Sequence, residues 1–437
     1  MIDDESPPRG ALPAACSAPV RLVVARAGVP LAAAGGAARG VLGPGPSLRG
    51  EPVVFYRGCV VLLPALPPAV LPPPALEQPA PRQVSYGLVS GRAPAGTRRI
   101  VVAADGRVLA SKPLARRRFS LRVTLPTGEA TVRVTVVAED GRRASRLVRD
   151  VYGLPPQARP RGTEEHLDRT LARRLLGLAR GHPGTVGLYV QSLTGGGGAA
   201  WNAKARFPAA STLKLAIAAA VLAAHSGLPP PGSRIDALLH AMITRSDNAA
   251  ANALEVWLAG STSAGGQRVN ALLRSLGLSD SLMYGGYATR TLAERGGPIP
   301  VRVDDQPAFG LGKYTTAFDL ASLLRAVWLA SGGRGPLREA QPGFSAADGR
   351  YLLWLLAHVR DTPKLDLAVG AQRDVAVLHK AGWLSTGRHD AGLVFWRGGV
   401  FVAAVLTWRP SGAGRPEDAL AGRVAAVALS RFRALAR

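Results

Sequence analysis

The chain has 437 residues, 47% of them hydrophobic, which is enough for two or three domains with cores of their own. Its 54 basic and 29 acidic side chains give a formal net charge of +25. Because the arginines are scattered rather than gathered into one run, the charge does not favour a nucleic-acid partner. The two cysteines, Cys16 and Cys59, both lie near the start. The rest of the chain therefore has neither a disulfide framework nor a cysteine-based zinc site.

Lysine is rare in this arginine-rich chain. Lysine loses its proton when it is desolvated, whereas arginine effectively does not. A lysine here therefore indicates a position where arginine would fail. The six lysines are Lys112, Lys204, Lys214, Lys313, Lys364 and Lys380.

Residues 1–82 are rich in proline, alanine and glycine and show no sustained periodicity, which predicts a signal-like or disordered region. The first residues are acidic, unlike a signal peptide, but an apolar stretch follows Arg57. Its prolines argue against a transmembrane helix. We expect translation to start near Val53 or Val54 and an export signal to end by about residue 80. The protein is therefore expected outside the cytoplasm, secreted or in the cell envelope.

Residues 83–153 have the pattern of a small β-rich domain. Apolar and polar side chains alternate from Phe119 to Leu125 and again from Val132 to Val136, with turn signals between such runs. Short strands at this spacing predict an immunoglobulin-like β-sandwich. It carries no catalytic constellation, so we interpret it as a spacer or binding module. Residues 154–163 are predicted to form a linker.

Residues 164–437 predict an α+β domain, an antiparallel sheet flanked by helices. A helix with Glu164 and Glu165 in its first turn is followed by a strand and a glycine-rich hairpin turn. The chain is then mostly helical to about residue 350. It ends with two strands and a helix from about Pro416.

The first candidate for chemistry is Ser211 with Lys214, within Phe207-Pro-Ala-Ala-Ser-Thr-Leu-Lys. If Ser211 opens a helix, the three-residue spacing places both side chains on one face. A serine hydroxyl needs a base to become a nucleophile, and a lysine can serve if burial lowers its pKa. The backbone N–H groups at such a helix start would also face a developing oxyanion. By itself, the Ser-x-x-Lys pattern often occurs by chance on amphipathic helices.

The second candidate is Ser246-Asp247-Asn248, which by itself suits a helix cap. Functionally, the Ser246 hydroxyl would pass a proton from the lysine to a leaving nitrogen, and the Asn248 amide would hold a substrate carbonyl.

The third candidate is Lys380-Ala381-Gly382-Trp383, at the end of a short strand. Lys380 would attract a substrate carboxylate, Gly382 would let the substrate backbone approach, and the Trp383 N–H would be a second oxyanion donor. The flanking His379 and His389 are weaker candidates for acid–base roles.

Together and in this order, the three motifs are those of the class A β-lactamase and penicillin-binding-protein superfamily, which residues 165–435 resemble. The resemblance implies an acyl-enzyme mechanism without metal or cofactor, acting on a β-lactam or a peptidoglycan peptide. We expect a monomer and an association with the cell wall. The implied catalytic and substrate-binding residues are Ser211, Lys214, Ser246, Asn248, Lys380, Gly382 and Trp383.

Two departures from that family leave turnover open. Ala381 replaces the family's usual threonine or serine, and no Glu-x-x-Leu-Asn lies between Asn248 and Thr315. In class A β-lactamases that glutamate activates the deacylating water. Two alternatives to a β-lactamase therefore remain: a D,D-peptidase or other peptidoglycan hydrolase, and a β-lactam-sensing or wall-binding protein that is acylated without turnover.

Overall fold

The computed structural model describes residues 53–56, 59–62, 70–288, 296–361 and 363–436. The chain divides into two compact units, Met1–Pro72 and Pro73–Arg437. In the first unit, strands β1 (Val53–Tyr56) and β2 (Cys59–Leu62) form an antiparallel hairpin. Most of the predicted signal-like region lies outside the described residues, and the expected translation start and export signal stay predictions. No helix in the described part of the chain is long and apolar enough to span a membrane.

The β-rich domain predicted at 83–153 is present as two sheets and begins earlier than predicted. Its first strand, Ala75–Gln78, lies in the segment predicted to be signal-like or disordered, and that part of the prediction is wrong. The sheets have the strand orders β4-β10-β9-β6-β7 and β3-β5-β8. The immunoglobulin-like assignment stays a prediction. The strands are β3 Ala75–Gln78, β4 Gln83–Ser85, β5 Leu88–Arg92, β6 Thr97–Ala104, β7 Arg107–Pro113, β8 Arg118–Arg122, β9 Gly128–Ala138 and β10 Arg143–Gly153.

The connection at 154–163 is packed rather than free. Leu154 and Ala158 are fully buried in the main hydrophobic core. The Trp328 indole donates a hydrogen bond to the Ala158 carbonyl at 3.0 Å. Nearby, the Tyr86 hydroxyl lies 3.1 Å from the Ser331 hydroxyl, so the β-rich domain also contacts the following domain directly. The segment is therefore held against the following domain by buried contacts, and its assignment as a linker stays a prediction.

The second domain is built on a six-stranded sheet of order β11-β13-β12-β18-β17-β16, which confirms the predicted α+β class. All its pairings are antiparallel except that of β11 with β13. A separate two-stranded ribbon joins β14 to β15. The strands are β11 His166–Leu167, β12 Thr185–Ser192, β13 Gly197–Trp201, β14 Phe207–Pro208, β15 Tyr314–Thr315, β16 Ala376–Trp383, β17 Arg388–Trp396 and β18 Gly399–Trp408.

The helices cover both faces of this sheet. Helix α1 begins at Arg169, where Asp168 accepts hydrogen bonds from the first-turn N–H groups, so the prediction of Glu164 and Glu165 in its first turn is wrong. Helices α1 and α9 share one core with the sheet, and α2, α6 and α8 share the other. The described helices are α1 Arg169–Arg180, α2 Lys214–Ala224, α3 Arg234–Thr244, α4 Asn248–Ala259, α5 Thr262–Ser275, α6 Ala317–Ser331, α7 Pro336–Ala340, α8 Ala346–Ala357 and α9 Arg415–Leu435.

Helix α2 lies at the centre of the helical layer. Its residues from Lys214 to Leu222 are all buried, in accord with a helix that is apolar on every side. Six of its eleven residues are alanines, so neighbouring helices can pack closely against it. The segment holding Ser211 leads directly into this helix, so the most buried element of the domain fixes the base of the candidate site.

Candidate active site

Ser211 lies in the turn that precedes helix α2, not in the helix itself. The Ser211 carbonyl accepts a hydrogen bond from the Lys214 N–H at 3.2 Å, and the Thr212 hydroxyl donates to the Ala209 carbonyl at 2.6 Å. Ala210, just before the nucleophile, has a φ of +48°, which is uncommon for a residue with a side chain. Such a conformation persists where its surroundings enforce it. The turn therefore holds Ser211 half-buried at the sheet edge, beside the buried Lys214.

The Lys214 amine is held by two uncharged oxygens. Its Nζ donates to the Ser246 carbonyl at 2.5 Å and to the Asn248 side-chain oxygen at 2.6 Å. Burial, reinforced by the positive charge of Lys380, lowers the pKa of Lys214 to about 7, against the opposing charges of Asp247 and Asp361. A lysine in these surroundings is neutral in a large fraction of molecules near neutral pH, as a general base requires.

The backbone turns at the second motif, so that both the carbonyl oxygen and the hydroxyl oxygen of Ser246 face the site. Ser246 has a φ of +57°, and the following Asp247 caps helix α4 by accepting a hydrogen bond from the Ala250 N–H at 2.7 Å. The cap predicted for this motif is thus present. It also places Asn248 in the first turn of α4, where its amide meets Lys214.

The third motif approaches from strand β16. The Lys380 Nζ donates to the Ser246 hydroxyl at 3.0 Å, to an Asp361 carboxylate oxygen at 3.2 Å and to the Ala381 carbonyl at 2.9 Å. Burial lowers the pKa of Lys380, but the adjacent Asp361 carboxylate opposes that change. Ser246 therefore bridges two buried lysines, through its carbonyl on one side and its hydroxyl on the other.

Gly382 brings the strand against the nucleophile segment. A Cβ atom at this position would lie 2.9 Å from the Ser211 nitrogen and 3.0 Å from the Ala210 Cβ, so a larger residue would push the two elements apart. The next residue, Trp383, exposes 61% of its surface at the end of the strand. The structure thus brings residues of all three motifs together at one edge of the sheet.

Neither flanking histidine has an evident acid–base role at this site. The His389 ring nitrogen Nε2 lies 2.8 Å from the Pro208 carbonyl, and burial lowers the pKa of His389 to about 4. It therefore ties β17 to the nucleophile segment. Burial opposes protonation of His379, but the Asp390 carboxylate, 2.9 Å away, raises the pKa of His379 overall. Because neighbouring residues of a strand point to opposite faces, His379 faces away from Lys380.

Several contact residues were not found from the sequence. Asp361 follows helix α8 without any motif, and only its ion pair with Lys380 reveals it. Tyr287 places its ring centroid 4.5 Å from the Lys214 Nζ, and Asn252 holds the Tyr287 backbone at both its N–H and its carbonyl. Lys313 belongs to no motif, and only the scarcity of lysine in the sequence indicated that its position is special. Its Nζ lies 4.4 Å from the centroid of the same ring.

The chain belongs to the beta-lactamase enzyme family. The family's sequence model matches residues 170–227 and 229–432, more than half of the chain. No curated protein matches it.

Solved structures of low sequence identity resemble the chain over about three fifths of its length. PBP-A is 22% identical, covering 62% of this chain and 99% of its own, with a TM-score of 0.47. A beta-lactamase from Sphaerobacter thermophilus is 22% identical, covering 60% and 97%, with a TM-score of 0.45. A class A beta-lactamase from Mycobacterium abscessus is 19% identical, covering 60% and 99%, also with a TM-score of 0.45.

Proposed function

We propose that this protein is a serine hydrolase that forms an acyl-enzyme on Ser211 with a β-lactam or a related cell-wall amide. The observation that carries the proposal is the position of Ser246 between Lys214 and Lys380, with one hydrogen bond to each amine. Membership of the beta-lactamase enzyme family supports the hydrolase class.

In the first step the neutral Lys214 amine takes the Ser211 hydroxyl proton while the oxygen attacks the amide carbonyl. Desolvation supplies that neutral amine near neutral pH. The carbonyl oxygen becomes an oxyanion, which the N–H groups of Ser211 and Trp383 would stabilise. The close approach of Gly382 to the Ser211 nitrogen supports this assignment, because it brings strand β16 beside the nucleophile.

In the second step the proton returns to the substrate. Lys214 passes it to the Ser246 hydroxyl, which gives its own proton to the leaving nitrogen as the carbon–nitrogen bond breaks. The Lys380 ammonium holds the Ser246 hydroxyl oxygen and so keeps the relay in place. Water then attacks the Ser211 ester and releases the acid product.

A substrate carboxylate would bind at the strand end. Lys380 would supply positive charge there. Asn248, whose side-chain oxygen accepts a hydrogen bond from Lys214, would hold a substrate carbonyl with its amide N–H. Arg388 is a second cation in this area: its guanidinium lies 5.7 Å from the Trp383 ring centroid, and its buried Nε has no hydrogen-bond partner among the described residues. It would compensate for the hydroxyl that Ala381 lacks.

A specific contact favours slow release of the acyl group. Lys214 faces the Tyr287 ring, and neither a hydrogen bond nor an ion pair joins it to a carboxylate among the described residues. A tyrosine whose pKa burial raises well above its usual value is a poor water-activating base. This supports, as a second candidate, a D,D-peptidase or a β-lactam sensor.

We also propose that the protein acts outside the cytoplasmic membrane, where both substrate classes occur, with the β-rich domain as a cell-wall contact. Fractionation of cells followed by immunoblotting tests the location. Recovery of the protein in the cytoplasmic fraction alone would contradict it.

The acyl-enzyme is tested with a fluorescent penicillin, intact-mass spectrometry and hydrolysis of a chromogenic cephalosporin. We expect an adduct on Ser211 that is absent from Ser211→Ala and unchanged in Ser111→Ala, a serine of the exposed strand β7. Rapid hydrolysis of the cephalosporin assigns a β-lactamase, and a persistent adduct assigns the second candidate. The proposal would be refuted if no adduct forms and if Ser211→Ala has no effect on amide hydrolysis.

A further inference from the structure

Two amines contact the single aromatic ring of Tyr287. The Lys214 Nζ lies 4.5 Å from the ring centroid and the Lys313 Nζ lies 4.4 Å from it. The two nitrogens are therefore no more than about 9 Å apart. Lys214 is buried and Lys313 is half-buried, so their charges are screened less than those of two exposed amines.

The Lys313 amine is held by a segment that is itself anchored to helix α4. Its Nζ donates to the Gly286 carbonyl at 2.8 Å. The next residue, Tyr287, is held by Asn252, which accepts from its N–H at 2.6 Å and donates to its carbonyl at 3.0 Å. The ring and the second amine thus belong to one hydrogen-bonded unit anchored on helix α4.

Beyond Lys313 lies a carboxyl group that no proposed step of the reaction uses. Glu255 of helix α4 is fully buried, and neither of its carboxyl oxygens has a hydrogen-bond partner. A buried carboxylate without donors is strongly disfavoured, and burial raises the pKa of Glu255 to about 8 despite the charge of Lys313. Glu255 is therefore mostly neutral at pH 7 and does not offset the charge of Lys313, although burial lowers the pKa of Lys313 itself.

We propose that Lys313 is a positioning residue for the catalytic base: its ammonium, held against Tyr287, lowers the proton affinity of Lys214. The protonated Glu255 preserves this effect by adding no negative charge. The inference deepens the proposed function, on which its catalytic meaning rests, by naming a residue that prepares Lys214 to accept the Ser211 proton.

The other charged groups around Lys214 show why a second cation matters. Lys380 on β16 acts in the same direction as Lys313, whereas Asp247 before α4 and Asp361 after α8 favour the protonated amine. With only Lys380 present, the two carboxylates would offset much of its effect. Burial is the largest cause of the lowered Lys214 pKa, and Lys313 adds a smaller contribution in the same direction.

The test measures the Lys214 pKa directly. With only six lysines in the chain, isotope-labelled lysine side chains give a simple NMR spectrum that can be followed against pH without substrate. At about 9 Å and an effective dielectric constant of about 20, loss of one positive charge should raise the Lys214 pKa by roughly one. We expect this increase in Lys313→Met but not in Lys313→Arg, which keeps the charge.

Two further variants sharpen the result. Lys204→Met is the matched control, because Lys204 also lies over an aromatic ring, that of Phe318, but is exposed. It should leave the Lys214 pKa unchanged. Glu255→Gln should also leave the pKa unchanged near pH 7, since it replaces a neutral group by a neutral one. A fall in the Lys214 pKa in Glu255→Gln would show an ionised Glu255 and overturn that part of the inference.

A folded Lys313→Met protein with an unchanged Lys214 pKa would overturn the main claim. If that variant does not fold, the double variant Lys313→Met with Glu255→Gln replaces both ionisable groups and should show the same increase. The low-pH limb of the acylation rate should move by the same amount as the NMR titration. Absence of acylation in every variant would refute the proposed function alone, because the titration in free protein still reports the effect of Lys313.

Discussion

The two sides of the candidate site each present a buried lysine, but the surroundings of the two amines differ. On the helical side, Lys214 meets only uncharged oxygens, from Ser246 and Asn248. On the sheet side, Lys380 lies 3.2 Å from the Asp361 carboxylate. A carboxylate stabilises the charged form of a buried amine. Neutral oxygens do not fully replace the water that the charged amine loses on burial, so they leave its pKa lowered.

We propose that this difference separates the two roles. Lys214 would exchange a proton, whereas Lys380, whose pKa burial lowers against the opposing charge of Asp361, would act as the cation that attracts a substrate carboxylate and holds the Ser246 hydroxyl. The proposed functions of these two buried lysines thus differ because a carboxylate contacts only one of them. The following predictions test that contrast, in order of decreasing effect.

Removing the base should have the largest effect. Lys214→Met keeps the length and apolar stem of the side chain but cannot accept a proton, so acylation should fall by about 10²- to 10⁴-fold. Lys214→Arg should be equally impaired, because arginine stays protonated. Stopped-flow acylation with a fluorescent penicillin measures both rates. Near-normal acylation by a folded Lys214→Met protein would show that another group is the base.

Separating the two sides should come next. In Gly382→Ala the new methyl would lie 2.9 Å from the Ser211 nitrogen, so strand β16 and the nucleophile turn must move apart. A displacement of that kind can cost about 100-fold in rate when it disturbs a catalytic geometry. The acylation rate should fall while the far-ultraviolet circular dichroism spectrum is retained. Gly162→Ala is a suitable control, since a Cβ there would meet no atom within 4 Å.

Neutralising Asp361 should make the two amines more alike. The Asp361 carboxylate raises the pKa of Lys380 and that of Lys214, so Asp361→Asn should lower both. If the low-pH limb of kcat/KM reports the neutral Lys214 and the high-pH limb reports the charged Lys380, the whole profile should move to lower pH, by roughly one unit. A pH–rate series measures the two limbs. A profile that stays in place would show that Asp361 tunes neither amine.

The smallest effect is expected away from the site. Tyr86→Phe removes the hydroxyl that lies 3.1 Å from the Ser331 hydroxyl where the β-rich domain meets the following domain. Loss of that buried hydrogen bond should lower the free energy of unfolding by about 1 kcal/mol. Acylation should be unchanged. Denaturant unfolding followed by fluorescence gives the stability, and a large loss of acylation would indicate that the β-rich domain supports the site.

Sequence reasoning reached the three motifs because each is a short local pattern. Ser211 with Lys214, Ser246 with Asn248, and Lys380 with Gly382 are each defined by chain spacing, and all meet in the structure as expected. It missed Asp361 and Tyr287, since neither belongs to a pattern and each reaches the site from a distant part of the chain. It also placed the first helix too early, because acidic residues at 164 and 165 resembled a helix start while Asp168 forms the actual cap.

The sequence by itself determined which groups exist to do chemistry and the α+β class of the domain that carries them, because strand alternation, helix periodicity and motif spacing are local properties of the chain. Only the tertiary structure decided how the two lysines differ. Proton affinity depends on burial and on charges within a few ångströms, and those neighbours are brought together by folding rather than by their order in the chain.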